Sequence, residues 1–358
     1  MGQKSLVMAE TARRAAIATL VVGGIVIAAL VLWKLRLLIG LLFLAFILAA
    51  AMRPSIEWLK RQRVPRAVGL LLHYVVLVAF LALFLALVVP RAIDQVQTAL
   101  GPQGKSQIHE AAQTTTGIKH DVLNALDRRL RNLPKAGEFV HPALEATKKA
   151  FEVVVGMLFV LAAAGYWIFE RGRTLDFVAS LWPRPKRKTV RDTWDLIDLK
   201  LGAFVRGQAL LILLVGTALS LLFWAIGLPY FILIGAFGGL VEIVPVIGPL
   251  AAGALAIGVG FTASWHVALA AGLCVLGVRL AEDYLVVPRV LGEATGLSPL
   301  VVLVSVSAVG LLFGGFAVVL AVPLAAVLVT LVDVVVRNRD PAEQEVPTVL
   351  FPAKEAEQ

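Results

Sequence analysis

The sequence predicts an all-α, polytopic integral membrane protein with six to ten transmembrane segments. Hydrophobic residues make up 59% of the 358 residues, charged residues make up 16%, and the mean hydropathy is +0.87. Soluble domains carry about one quarter charged residues, so most of this chain is expected to lie in lipid. Helices are expected because a backbone inside a bilayer must satisfy its own hydrogen bonds.

Composition also excludes several classes of function. The single cysteine, Cys274, excludes an intramolecular disulfide, the five histidines show no metal-ligand spacing, and no P-loop occurs. The net charge of +9 comes from Lys and Arg side chains beside apolar runs, a pattern that orients membrane proteins. We therefore expect membrane lipids as partners, and no nucleic acid, metal or cofactor.

Transmembrane helices are predicted over residues 1–89. Two apolar runs at 15–32 and 37–52 are separated by four residues, and no small-residue cleavage site ends the first run. We interpret them as a tight transmembrane hairpin. Five basic residues between 53 and 66 precede a third run and predict a cytoplasmic loop, which places the N-terminus in the cytoplasm of an inner-membrane protein.

Residues 90–150 are predicted to form an extracytoplasmic region of amphipathic helices. Apolar residues recur there at helical spacing, at Ile118, Val122, Leu126, Leu130 and Leu133. This insertion is either a cap over a transport pathway or a passive spacer.

The unit 151–206 is predicted to return the chain to the cytoplasm. An apolar span at 151–169 is followed by nine lysines and arginines between 170 and 206. An apolar stripe within that basic segment predicts an interfacial amphipathic helix. Its members are Val190, Trp194, Ile197, Leu201 and Phe204.

Residues 207–337 are predicted to form the transport core, with two membrane segments broken by glycine and proline. Pro245 and Pro249 cannot continue a regular helix. The breaks of the second stretch are Gly314, Gly315 and Pro323. Each stretch is either two full spans or one re-entrant hairpin. The apolar runs at 231–244 and 299–312 are shorter than the ~20 residues needed to cross a bilayer, which favours hairpins.

Glu242 is the central candidate of the predicted site, because a carboxylate in an apolar broken segment is expected to face a pathway or a partner. If it lies at the bilayer centre, its burial there costs at least about 2.5 to 3.5 kcal/mol. Arg279, Glu282 and Asp283 share one helix face. The candidate substrate or ion pathway comprises Glu242, Pro245, Gly248, Pro249, Arg279, Glu282, Asp283, Arg206 and Gln208. The alternatives are a proline kink with an interfacial glutamate, and an ion pair at a helix end.

The C-terminal residues 338–358 form the last predicted unit. They follow the basic end of the final apolar run and are rich in Glu, Pro and Ala. This composition predicts a disordered cytoplasmic tail.

Four sequence blocks resemble the AI-2E family of transporters. They are LGAFVRGQAL at 201–210, GLPYFILIGAFGGLVEIVPVIGP at 227–249, VVPRVLGEATGLSPL at 286–300 and LLFGGFAVVLAVPLAAVL at 311–328. The resemblance implies transport, because members of this family are described as exporters of the signal autoinducer-2 or as sodium/proton antiporters. It also implies a homo-oligomer, with a pentamer as the expected form.

Three functions compete at this stage. The first is a secondary exporter of a small polar metabolite or signalling molecule such as autoinducer-2. The second is a monovalent cation/proton antiporter that uses Glu242 with Glu282 or Asp283. A non-transporting scaffold is the third, and the broken membrane segments argue against it. Catalysis is not expected, because no nucleophile, base and orienting group are spaced recognisably.

Overall fold

The computed structural model describes residues 2–100, 140–245, 247–287, 297–344 and 346. Within these ranges the chain is helical and contains no β-strand, which confirms the predicted all-α class. Four helical segments among the described residues are long and apolar enough to cross a membrane. They are Arg36–Arg61, Arg66–Leu83, Phe151–Ser180 and Arg184–Ala225.

Ten α-helices of more than one turn organise the described residues. They are α1 (Gly2–Lys34), α2 (Arg36–Arg61), α3 (Arg66–Leu100), α4 (Val140–Ser180), α5 (Arg187–Ala225), α6 (Phe231–Val241), α7 (Ile247–Ala263), α8 (Trp265–Ala281), α9 (Pro299–Phe313) and α10 (Ala321–Val335). Shorter elements are the 3₁₀ turns Arg184–Lys186 and Pro341–Glu343, the π-helical turn Glu282–Val286 and the helical turn Gly315–Val318.

The predicted N-terminal hairpin is wrong. Only Leu35 separates α1 from α2, and its amide donates to the Val31 carbonyl while its own carbonyl accepts from Ile39. Both bonds have helical i to i−4 spacing, so the chain does not reverse. The four residues between the apolar runs include neither Gly nor Pro, and the Arg36 guanidinium covers the Trp33 ring at 4.5 Å. The orientation of the N-terminus therefore stays a proposal.

The long helix α5 joins two segments that the sequence separates. The predicted interfacial helix and the following span form one continuous helix of 39 residues. The apolar stripe packs on protein: Ile197 and Leu201 are buried in one cluster with Ile47 of α2. The prediction of a helix lying on the membrane surface is wrong, because this segment continues without a break into the following span and packs in part on α2.

The first broken stretch is an antiparallel hairpin of α6 and α7. Contacts run in opposite order along the two helices: Ile234 shares a buried cluster with Ala256, a Cβ at Gly238 would lie 3.5 Å from Ala252, and Gly248 touches Val241. The two helices span only about 16 and 25 Å, less than a hydrocarbon core of about 30 Å. This geometry agrees with the re-entrant interpretation.

The second broken stretch is a hairpin of α9 and α10. Val306 is buried with Ala321 and Val322, and a Cβ at Gly310 would lie 3.1 Å from Val318. Each helix has 15 residues. Here too the segments are too short to cross a bilayer without thinning it.

The two hairpins point in opposite directions. The base of the α6–α7 hairpin packs with Phe223 near the C-terminal end of α5. The α9–α10 hairpin is instead anchored near the start of α5, where Lys200 Nζ donates to Thr330 Oγ1 at 3.2 Å. Its tip reaches α1, since the rings of Trp33 and Phe313 are 6.2 Å apart. Oppositely directed broken helices are a feature of secondary transporters.

The predicted extracytoplasmic region and the predicted tail are described only in part. Residues 101–139, with the predicted amphipathic stripe, lie outside the described residues, and the expected boundaries at 89/90, 150/151 and 206/207 fall inside α3, α4 and α5. The first residues of the predicted disordered tail are ordered. Pro341 is buried, and Lys200 Nζ donates to Gln344 Oε1 at 2.9 Å. The tail is held because a buried ammonium group needs this acceptor.

Candidate functional site

The tip of the α6–α7 hairpin carries Glu242. The helix α6 ends in a tight turn, in which the Val244 amide donates to the Val241 carbonyl at 3.0 Å, and α7 begins at Ile247. Pro245 lies in this turn, so the predicted break is present. Pro249 occupies the first turn of α7, where a missing amide hydrogen costs no helical bond.

Gly248 allows the hairpin to close. A Cβ at this position would collide with the carbonyl oxygen of Val241. The tight approach of α7 to the end of α6 therefore requires a residue without a side chain.

Four charged side chains meet at the tip, and we call them the Glu242 cluster: Glu242, Arg279, Glu282 and Asp283. Nη1 of Arg279 lies 3.1 Å from Glu242 Oε1 and 3.2 Å from Glu282 Oε2, while Nη2 lies 2.9 Å from Asp283 Oδ1. The exposed fractions of Glu242 and Glu282 are 6% and 5%, compared with 43% for Asp283. The structure thus brings Glu242 together with the three residues that share one helix face.

The cluster carries more negative than positive charge. Three carboxylates surround one guanidinium, and two of them are buried and share a single nitrogen of it. Desolvated charges of one sign are costly unless they are compensated. A proton or another cation is therefore the chemical species that this arrangement is suited to accept.

The π-helical turn Glu282–Val286 follows α8 directly and begins at a cluster residue. The amide of Val287 donates to the Glu282 carbonyl, which closes the wider turn. Such π-bulges occur frequently at functional sites because they rotate side chains out of the regular helical register.

Gln208 supports the broken backbone. Its side-chain amide donates to the Glu242 carbonyl at 3.2 Å, which supplies a hydrogen bond to a carbonyl next to the break. Gln208 lies 17 residues before Ala225, or about 25 Å along α5. Because Gln208 also lies 21 residues after Arg187, this contact is near the middle of α5.

Arg206 contacts a different break. Its Nη1 donates to the Ala51 carbonyl of α2 at 3.2 Å. This carbonyl lies beside Pro54, which lacks the amide hydrogen that would bind Ala50. Close packing of α5 allows the contact, because a Cβ at Gly202 would lie 2.5 Å from the Ala50 oxygen.

The predicted breaks of the second stretch lie in the other hairpin. Gly314 has φ +86° and ends α9, and Gly315 begins the short turn after it. Pro323 is buried in the first turn of α10. The two hairpins meet instead where Val244, from the first tip, packs against the buried cluster of Val306, Ala321 and Val322 in the second.

A buried ion network that the sequence did not predict surrounds Asp198. Asp198 is 3% exposed, and its Oδ2 lies 2.5 Å from Arg171 Nε and 3.4 Å from Arg53 Nη1. Arg171 also pairs with Asp195. The network joins α2, α4 and α5 beside a cavity of about 320 Å³. The signal in the sequence was a set of acidic residues inside a basic segment. The charge pattern of such a segment indicates its orientation in the membrane, but it does not identify which charged side chains pair.

Comparisons with known proteins point to one family. The family model described as AI-2E family transporter matches residues 21–337. The "Putative transport protein YrrI" of Bacillus subtilis is 25% identical over 299 residues, covering 80% of this chain and 83% of the relative. For YueF of the same organism the identity is 26% over 312 residues, covering 82% and 81%. MT0215 of Mycobacterium tuberculosis is 26% identical over 322 residues, covering 84% and 85%.

Proposed function

Because the chain belongs to the AI-2E transporter family, we propose that it exports a small polar solute and couples export to a proton held at the Glu242 cluster. Membership makes the chain a membrane transporter; the solute, the direction and the coupling ion belong to the proposal. Autoinducer-2 is the first solute to test, since the resemblance to the family implies it.

The excess of buried carboxylate at the hairpin tip carries this proposal. Glu242 and Glu282 lie on two elements, the α6–α7 turn and the end of α8, and one guanidinium nitrogen bridges them. Adding or removing a proton changes the charge at this junction. Such a change would alter how strongly the hairpin is held against α8, which links titration to movement of the tip.

A proton fits the cluster better than a bound metal cation. Within the described ranges, no group of three or more His, Cys, Asp or Glu side chains is placed to hold a metal ion. The three carboxylates are instead directed at the guanidinium of Arg279. A sodium ion would need several oxygens directed at one point.

A monovalent cation/proton antiporter is the second candidate. The observation that favours it is the same pair of buried carboxylates, since release of Arg279 from them would leave two anionic groups side by side. In that mechanism the two carboxylates hold a proton in one half of the transport cycle and a sodium ion in the other half.

Flux into and out of proteoliposomes tests both candidates. The flux of each solute is measured as a function of pH, for the wild-type protein and for Glu242→Gln in the same lipid preparation. The solutes are autoinducer-2, a panel of other polar solutes and sodium. Glutamine keeps one acceptor oxygen for Arg279 but cannot exchange a proton. We expect solute flux that varies with pH in the wild type and loses this dependence in the variant.

A matched control is Glu170→Gln. Glu170 pairs with Arg173 on an exposed face of α4, so its replacement removes a carboxylate away from the cluster. Flux and pH dependence should remain those of the wild type. Sodium flux that depends on pH, without transport of any polar solute, would favour the antiporter. Wild-type behaviour of Glu242→Gln at every pH would reject both roles of this residue.

The proposal also includes location and assembly. We place the chain in the inner membrane with its C-terminus in the cytoplasm, and with its N-terminus on the opposite side because α1 continues into α2 without reversing. We expect a homo-oligomer, with a pentamer as the form the family resemblance implies. The apolar helix faces exposed on a single chain, such as Leu20 at 76% and Leu311 at 88%, support contact with lipid or with further copies. The mass of the purified protein by light scattering tests the oligomer number.

A further inference from the structure

A long groove with no assigned role lies between α2, α4, α5 and α10. Its volume is about 980 Å³, within the range of about 300 to 1,000 Å³ typical of ligand sites. The lining is predominantly apolar. It is separate from the Glu242 cluster, none of whose residues line it.

The groove changes in polarity along its length. Apolar side chains such as Ile39 and Phe43, from the early part of α2, line one region. Polar groups line another, including Lys186 of the basic 3₁₀ turn and Asn338 after α10. This gradient matches a molecule with a hydrocarbon chain and a polar, negatively charged end.

Aromatic side chains form one wall. The ring of Phe46 contacts Trp167 edge-on at 5.1 Å and Trp194 at 5.9 Å, and the two indoles stack at 5.8 Å. The Nε1 atom of Trp194 is buried and has no hydrogen-bond partner among the described residues. This atom is therefore out of reach of the groove, and Trp194 contributes its apolar ring to the wall.

Access and charge favour a lipid. The α10 side of the groove is open at Val335, which is 72% exposed, and the α2 side at Leu42, which is 46% exposed. Lys186 is exposed and makes no ion pair with any residue in the described ranges. Its ammonium group is therefore available for an anionic headgroup at the end of the bundle where the basic segments lie.

We propose that this groove binds one anionic phospholipid from the adjacent leaflet. An acyl chain lies along the aromatic wall towards Phe43, and the phosphate lies near Lys186 and Asn338. The site is independent of the transported solute, and its occupancy is measured without a transport assay.

Native mass spectrometry of the delipidated protein tests the proposal. The protein is titrated with phosphatidylglycerol or with phosphatidylcholine of the same acyl chains, and the affinity of the first lipid per protomer is measured. We expect phosphatidylglycerol to bind first and more tightly. Lys186→Gln should weaken it about fivefold, which corresponds to the roughly 1 kcal/mol of one lysine near an anionic membrane surface. Lys188→Gln, two residues away and not in the lining, should have little effect.

A second variant fills the groove instead of changing its charge. Ala163 lines it, whereas the adjacent Ala162 is exposed and does not. Ala163→Leu should weaken the first binding step for both lipids, and Ala162→Leu should leave it unchanged. Phosphatidylglycerol with brominated chains should quench tryptophan fluorescence less in Ala163→Leu than in Ala162→Leu, because Trp167 and Trp194 line the groove.

Two results would overturn the proposal. One is equal affinity of the wild-type protein for the two lipids, together with unchanged affinities in Lys186→Gln and Ala163→Leu. Both variants must elute as folded protein for this result to count. The other is a change of oligomeric mass in Ala163→Leu without a change in bound lipid, which would assign the groove to contact with a second copy of the chain.

Discussion

Arg279 is the residue on which the electrostatics of the site depend. Its guanidinium is the common partner of three carboxylates, one from the α6–α7 turn and two from the π-helical turn. Removing one carboxylate leaves a cluster that is closer to neutrality. Removing the guanidinium leaves two buried carboxylates without the cation that they share.

We therefore expect Arg279→Ala to be more destabilising than Glu242→Gln. Loss of one partner of a buried pair costs about 3 to 5 kcal/mol, and the partial exposure of Arg279 places the cost near the lower value. Thermal unfolding in detergent, followed by tryptophan fluorescence, measures the difference. The double variant Arg279→Ala with Glu242→Gln should recover part of the loss. An unchanged unfolding midpoint in Arg279→Ala would show that solvent compensates the carboxylates.

At the scale of elements, the hairpins are held by backbone contact through glycine. In the α6–α7 hairpin, a Cβ at Gly239 would lie 2.5 Å from the Ile212 carbonyl of α5, and one at Gly248 would collide with Val241. Small residues allow membrane helices to approach this closely. The reversal at the tip therefore depends on packing along both arms, and replacing Pro245 alone would not straighten it into a continuous helix.

Two alanine substitutions in α7 separate the effect of this close packing on stability from the effect of helix propensity. Gly248→Ala must push the end of α6 aside, so we expect a destabilisation of about 1 to 3 kcal/mol and slower transport. A Cβ at Gly258 of the same helix would meet nothing within 4 Å, so Gly258→Ala should be neutral or stabilise by up to about 1 kcal/mol. Unfolding midpoints and flux of the two variants are compared. Equal unfolding midpoints and equal flux in the two variants would mean that the hairpin tip accommodates the extra methyl group without loss of stability.

At the scale of the whole molecule, the distribution of basic residues defines two ends. The segments that carry Arg53, Lys60 and Lys186 lie at one end of the bundle, together with the anchored base of the α9–α10 hairpin. Lys149, near the start of α4, lies at the other, 31 residues before Ser180. The excess of positive charge predicts that the first end faces the cytoplasm.

Single cysteines test this orientation. With Cys274 replaced by Ala, Lys60→Cys and Lys149→Cys each introduce one exposed thiol. A membrane-impermeant maleimide added to intact cells should label the second and not the first, whereas inverted vesicles should show the reverse. Labelling of both thiols from one side would reject the proposed orientation.

Composition and local chemistry determined much of this fold. Apolar runs specify membrane helices because lipid offers the backbone no hydrogen bonds, and the break near Pro245 follows from a missing amide hydrogen. A charged partner for Glu242 was also predictable, since an isolated carboxylate in an apolar segment must find compensation. These properties depend on residues close together in the chain.

Tertiary structure decided the features that depend on distant partners. The sequence suggested a reversal at Leu35, where the helix continues, and a surface helix at Trp194, whose stripe packs on α2. Arg279 meets Glu242 across 37 residues, and Arg53 meets Asp198 across 145. Hydropathy specifies which segments enter the membrane, but it is nearly uniform around such helices, so it does not specify which faces meet. Those contacts are determined by the close approach of small residues and by the pairing of buried charges, and both require the assembled bundle.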